Sequence, residues 1–325
     1  MPICYRRLEL SFPLVLAARE TLESFKGFIL GNDKFSFLEP SLDSWLYPID
    51  LEFTLKKDLY YFPRDSRGLP MRRFMSVGDQ YVPTRIASYA LAHHNRYLLT
   101  GDEHSRQRFF AAVEWFMSFP EGVWYYNFSR YGLKPPWVSA MAQGEGISVL
   151  VRAWKLSQDS AYLSQAQKAL KPLLLPLERG GVRSELPDGS PFLEEYPTNP
   201  PLHVLNGFMY TLIGLVDLGR VSKELVAPVG LDDLLDSLDK NISLWDFGSW
   251  SLYDLGHLHD ALPHVASMRY HNLHISQLTF LGRFTHRQGL LEAARRWKEY
   301  ARSPWNRWRA FFQKVRYRLK ALGEA

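Results

Sequence analysis

Cysteine occurs once, at Cys4, which excludes an intramolecular disulfide framework and a zinc site built from cysteines. No stretch approaches 18 consecutive apolar residues, so no membrane-spanning helix is expected. The apolar run from Phe12 to Ala18 is interrupted by Pro13 and has no small-residue cleavage pattern after it. No signal peptide is therefore read, and a cytoplasmic or membrane-peripheral location is the default expectation. A Walker loop, a G-x-S-x-G elbow and a strand-borne G-x-G-x-x-G are all missing. Gly144-Glu145-Gly146 is too short to signal phosphate binding. What the 325 residues do contain is a globular balance, 46% hydrophobic and 22% charged, enough for a large core.

The net charge of +5 is unevenly placed. From Arg295 to Ala325 ten Lys or Arg face only Glu299 and Glu324, leaving the body at −3. The body does not read as a nucleic-acid-binding domain. The tail adds Trp305, Trp308, Phe311, Phe312, Val315 and Leu319 at near-helical spacing, which marks a basic amphipathic helix. Two readings stand: a helix docked on the body, or a surface for an anionic lipid or polymer. Aromatic residues make up 14%, often beside polar ones, as in Trp124-Tyr125-Tyr126-Asn127-Phe128 and Trp245-Asp246-Phe247-Gly248-Ser249-Trp250. Such clusters suit sugar rings and equally suit a core.

Residues 40–75 alternate apolar and polar through Trp45, Tyr47, Ile49, Leu51, Phe53 and Leu55, which predicts a small β-hairpin region. A leading helix is predicted over 8–30. From about residue 83 the period becomes helical. Helix pairs follow, broken at Thr100-Gly101-Asp102 and again 57 residues later at Ser157-Gln158-Asp159. Further units begin at His203 and about Asn272. Such recurrence implies an array of helical hairpins. The predicted fold is mainly α: an α/α toroid over 79–300, an N-terminal helix and β-hairpin region over 1–78, and the basic helix over 301–325. Polar-aromatic groups precede each first helix: Tyr81, Trp137, Glu194-Glu195-Tyr196 and Arg269-Tyr270-His271. Closure would gather them, with helix N-termini, around one cleft that favours an anion.

Five histidines fall within 18 residues: His257, His259, His264, His271 and His274. They are open to a metal-ligand reading and to a reading as hydrogen-bonding groups for sugar. Glu194-Glu195 offers either complementarity to a helix dipole or a general base. Tyr253 and Tyr270 are edge tyrosines, or acid/base groups if nearby cations ease their ionisation.

Several blocks resemble the D-glucuronyl C5-epimerase family. They are Tyr196-Pro197-Thr198, Val204-Leu205-Asn206-Gly207-Phe208-Met209-Tyr210-Thr211-Leu212-Ile213-Gly214-Leu215 and Trp137-Val138-Ser139-Ala140-Met141-Ala142-Gln143-Gly144. Leu252-Tyr253-Asp254-Leu255 and Tyr270-His271-x-x-His274-Ile275-x-Gln277-Leu278 complete the set. They run in the family's order over roughly 81–300. The resemblance implies an α/α toroid that converts D-glucuronate to L-iduronate within heparan-type polymers. It implies site residues at Glu195, Tyr196, Asn206, Tyr210, Tyr253 and Tyr270. Gly256 stands where the family has an arginine, so a substrate-carboxylate contact is lost or is supplied by Arg269 or His257. The animal members' β-sandwich with its calcium sites lies outside the resemblance, so calcium is not carried over.

The expected chemistry is removal of the C5 hydrogen by one group and reprotonation from the opposite face by another. Glu195 and Tyr253 are the expected pair, with Tyr270 stabilising the intermediate or sharing the transfer. Tyr81, Trp137, Tyr196, Asn206, Tyr210, His257, Arg269, His271 and His274 are the expected substrate contacts. No metal or cofactor is expected. The expected partners are an acidic polysaccharide, an anionic membrane surface for the tail and a second copy as a homodimer, with no nucleic acid. A polysaccharide lyase, a glycoside hydrolase and a non-catalytic polysaccharide-binding protein are the rival readings.

Overall fold

The computed structural model describes residues 21–29, 38, 44–56, 59–259 and 261–323. Among these residues it is mainly helical, with three two-stranded antiparallel sheets. Of the predicted leading helix, residues 21–29 are helical and the rest lies outside the described residues. The strand reading of 45–55 is corrected. Tyr47 and Ile49 are buried in irregular chain, and Glu52–Leu55 is a short helix. Burial from one side of an irregular segment mimics the period of a strand. The hairpin lies at the end of the predicted region and just past it, where β1 (Arg72–Phe74) pairs with β2 (Gly78–Gln80) in the register Arg72↔Gln80.

Four helical hairpins follow. They are α1 (Pro83–Thr100) with α2 (Glu103–Met117), and α3 (Ala140–Ser157) with α4 (Ser160–Lys168). Then come α5 (Leu205–Val221) with α6 (Leu231–Asn241), and α7 (Met268–Phe284) with α8 (Gln288–Arg302). The last helix is α9 (Pro304–Gly323). The breaks form as their residues dictate. Gly101 at φ 72° and Gln158 at φ 61° end α1 and α3 in the left-handed conformation. The Asp102 and Asp159 carboxylates then accept from the His104 and Ala161 amides at 3.2 and 2.9 Å, capping α2 and α4. In α7 the Ser267 hydroxyl caps from the Tyr270 amide. The helix therefore starts four residues before its predicted start, and Arg269-Tyr270-His271 lie in its first turn instead of in a preceding loop.

Each hairpin's first helix packs on the next: α1 on α3, α3 on α5, α5 on α7. The α3–α5 seam is the tightest. A Cβ on Gly214 would lie 2.0 Å from the Gly144 carbonyl oxygen, so only glycine permits this approach. One helical turn away, Arg152 Nη1 meets Asp217 Oδ2 at 2.5 Å, with both side chains fully buried. Ser148 Oγ donates to the same carboxylate at 2.8 Å. Trp124, Trp245, Trp250 and Trp297 fill the core, so at these positions the aromatic clusters serve packing. A smaller cluster of Val82, Tyr126, Phe128, Trp137 and Ala142 stands apart and faces a cavity.

The basic tail forms α9 and docks. Phe311 packs edge-on against Phe25 and Phe28, and Lys314 is buried. Trp305, Phe312 and Leu319 stay exposed. Among the described residues no helix is long and apolar enough to cross a membrane.

Candidate functional site

Helical spacing and the hairpin order bring the first turns of α1, α3, α5 and α7 to one cavity of about 370 Å³. Thr84, Arg85 and Ser88 come from α1, Met141 and Glu145 from α3, Asn206 and Tyr210 from α5, and Arg269, Tyr270 and Leu273 from α7. Pairs four residues apart share a helix face, which is why Asn206 and Tyr210 point the same way. The loops add Trp137, Glu195, Tyr196 and Tyr253. Trp137 stacks on Tyr126 at 4.1 Å, making a flat aromatic wall.

Glu194 and Glu195 have different fates because successive residues of an extended chain point to opposite sides. Glu194 turns inward, with Oε1 2.6 Å from His203 Nδ1 and accepting from Ser184 Oγ at 2.7 Å. Glu195 turns into the cavity beside α5. Gly207 makes the room: a Cβ there would fall 2.4 Å from Glu195 Oε2. Asn206 Nδ2 donates to that oxygen at 3.5 Å. Burial pushes the Glu195 carboxyl up to about 7, against the lowering effects of the Tyr196 hydroxyl and Arg130.

The backbone of Tyr253 is fixed on both sides. Its amide donates to the His264 carbonyl at 2.7 Å, and its carbonyl accepts from the Leu205 amide at 3.1 Å. The Tyr253 ring meets Tyr270 edge-on at 4.9 Å. Ease of ionisation by nearby cations does not hold here. Enclosure in the cavity first, then the Glu195 carboxylate, raises Tyr253 and Tyr270, the latter keeping 37% exposure at the rim, and burial with Glu145 raises Tyr210. These phenols are neutral at pH 7 and suited to donate protons.

A buried polar chain lies behind Tyr253. Asp254 Oδ2 is 2.7 Å from His264 Nδ1, and Lys314 Nζ donates to His264 Nε2 at 2.7 Å. With Lys314 donating to Nε2, the ring proton sits on Nδ1 and donates to Asp254. Burial keeps this imidazole neutral by lowering it below the usual histidine range.

The other nominated residues sit elsewhere. The Tyr81 hydroxyl donates to Asp65 Oδ2 at 2.7 Å, outside the cavity lining. His271 is fully buried, stacked on Trp250 at 3.9 Å and bonded to Ser251 and the Trp297 carbonyl. Burial pushes it down to about 3. His274 is buried beside it on Ser251. His257 lies in the turn Gly256–His259 and does not line the cavity. The five histidines thus scatter, and among the described residues no three His, Cys, Asp or Glu side chains are grouped to hold a metal. Of the two residues expected to stand in for an arginine at Gly256, Arg269 reaches the cavity. Arg72, Arg85 and Arg130 join it, and none of these three was nominated from the sequence. Glu145 was also passed over. A lone acid in an otherwise apolar helix start was the available signal.

A larger groove of about 1040 Å³ lies between residues 176–201 and α6. It holds none of the nominated residues, and its acids Glu178, Glu185, Asp233 and Asp236 outnumber Arg183 and Lys240, which disfavours an anionic sugar.

Residues 118–299 match the family model described as D-glucuronyl C5-epimerase C-terminus. A D-glucuronyl C5-epimerase of Caenorhabditis elegans is 37% identical over 223 residues, covering 62% of this chain and 36% of the worm protein. An uncharacterised protein of Methanocaldococcus jannaschii is 29% identical over 182 residues, covering 54% of this chain and 57% of its own length. The chain thus spans about a third of the first relative and somewhat over half of the second.

Proposed function

This chain belongs to the D-glucuronyl C5-epimerase C-terminus family, and from that premise we propose that it inverts C5 of D-glucuronate residues to L-iduronate in a heparosan- or heparan-like acidic polysaccharide. The observation that carries the reading is one cavity holding Glu195, Tyr253 and Tyr270 together, ringed by Arg72, Arg85, Arg130 and Arg269. The arginines suit the substrate carboxylate, and Trp137 and Tyr126 suit a sugar face.

In this reading Glu195, poised near 7, removes the C5 proton. The charge spreads into the substrate carboxylate, where the arginines stabilise it. Neutral Tyr253 returns a proton from the other face, with Tyr270 as its neighbour. Charge held on the carboxylate does not expel the C4 oxygen, which separates epimerisation from lyase chemistry. A polymer suits the surroundings. A groove of about 730 Å³ shares Arg130, Tyr253, Arg269 and Tyr270 with the cavity and adds Lys26 and Arg318. We take the four hairpins as a closed α/α toroid, with 79–300 as the epimerase unit and 301–325 as its basic appendage.

The test is incubation with heparosan in deuterated water, followed by NMR. Deuterium should enter C5 and iduronate signals should appear, with chain length unchanged and no unsaturated ends. No incorporation on heparosan and other uronans, with polymer binding intact, overturns the reading in favour of a binding protein.

A further inference from the structure

Glu145 lies one helical turn beyond Met141 on α3 and lines the same cavity as Glu195. It is 2% exposed, and among the described residues its Oε2 has no hydrogen-bond partner. The helix holds it there without slack. A Cβ on Gly144 would lie 2.4 Å from the Thr211 Cα, and one on Gly146 would lie 2.3 Å from the Trp124 ring. A buried polar group left unsatisfied costs stability. In a cavity wall, such a group is open to a ligand that fills the cavity.

Its electrostatic neighbours are Glu195 from the loop after the strand Pro191–Leu193, Tyr126 from the strand Tyr125–Tyr126, Tyr210 from α5 and Tyr47 from the N-terminal segment. The arginines of the cavity lie among the other lining residues. Burial first, then Glu195, holds Glu145 well above the usual carboxylate range. Two carboxyls, both raised and each raising the other or its neighbours, therefore share one cavity.

Resting on the uronate reading of this site, we infer that Glu145 contacts the substrate directly, donating a hydrogen bond as a carboxylic acid to the uronate carboxylate. A neutral donor to that group gains strength as negative charge builds there after the C5 proton leaves. It does so without adding a charge that would repel the incoming anion.

The experiment compares Glu145→Ala and Glu145→Gln with the wild type, reading C5 deuterium exchange on heparosan across pH. Glu145→Ala should lower kcat about 10²–10³-fold, with KM moving far less. Glu145→Gln still donates through its amide and should recover at least about tenfold of that loss. Its alkaline limb should move upward, because an amide does not titrate. Glu145→Ala within about threefold of wild type overturns the inference. So does a Glu145→Gln variant as impaired as Glu145→Ala with an unmoved alkaline limb. If Glu145→Ala does not fold, the pH profile of Glu145→Gln decides alone. Calorimetric titration with a heparosan oligosaccharide separates this from failure of the epimerase reading. A wild type that exchanges nothing, yet binds the oligosaccharide more weakly once Glu145 is Ala but not Gln, sinks the epimerase reading and keeps the contact. Exchange by the wild type with an indifferent Glu145→Ala sinks the contact alone.

Discussion

At the scale of the residue, the proposed reaction sets activity against stability at Glu195. An unfolded Glu titrates near 4.5 and the folded one near 7, so the folded state binds more protons between those values. Stability therefore falls as pH rises through that window and stays reduced above it. The difference corresponds to about 3 kcal/mol. Glu195→Gln removes the penalty. Its melting temperature should exceed wild type at pH 8 and converge with it near pH 4, while exchange at C5 falls about 10²–10⁴-fold. A Glu195→Gln protein that melts below wild type at pH 8 contradicts a buried, raised carboxyl. Tyr253→Phe keeps the ring on Tyr270 and should lose comparable rate with little change in melting. The sequence made Glu195, Tyr253 and Tyr270 legible through runs of neighbouring residues shared with one family. Glu145, Arg72, Arg85 and Arg130 were not legible that way, since each reaches the cavity from a different element and no local pattern links them. His271 and His274 were nominated because they continue a familiar run. They face the Trp250–Trp297 side of α7, under the site instead of in it.

Elements were legible where their ends carry chemistry. Gly101-Asp102 and Gln158-Asp159 mark breaks because a left-handed residue followed by a capping carboxylate serves nothing else so well. The start of α7 was less visible: its buried face begins at Met268, but the half-buried Arg269 and exposed Tyr270 that follow set no period before His271. Closeness between elements leaves another trace, in glycine. Gly214→Ala inserts a methyl group 2.0 Å from the Gly144 carbonyl and must pry α3 from α5. We expect a loss of about 1–3 kcal/mol in a denaturant titration. Activity should fall with it, because Glu145 and Asn206 ride on the two helices that separate. Wild-type stability in Gly214→Ala would mean that the seam is softer than its geometry.

Across the whole molecule, the last helix is a structural member. Phe311 packs on Phe25 and Phe28, and Lys314 bonds to His264 Nε2 and the Val265 carbonyl. Ending the chain at Arg302 should lower the melting temperature by several degrees, each 1 kcal/mol being worth roughly 2–4 °C in a protein of this size. On the proposed polymer substrate, its exposed basic residues make a second, separable contribution. Binding of the protein to heparosan should weaken with salt more steeply than that of a variant with Arg309 and Arg316 replaced by Gln. Equal salt slopes would remove the tail from polymer binding.

The hydrogen bond from Lys314 to His264 also sets an order of events during synthesis. Every side chain that lines the cavity is already translated by Leu273, yet the lysine that fixes the histidine behind Tyr253 comes fifty positions after that histidine. A nascent chain halted at Arg302 has all the cavity residues and lacks the clasp behind them. The brace behind Tyr253 is thus completed only after every lining residue has been made, once the helix that carries Lys314 has emerged and folded back.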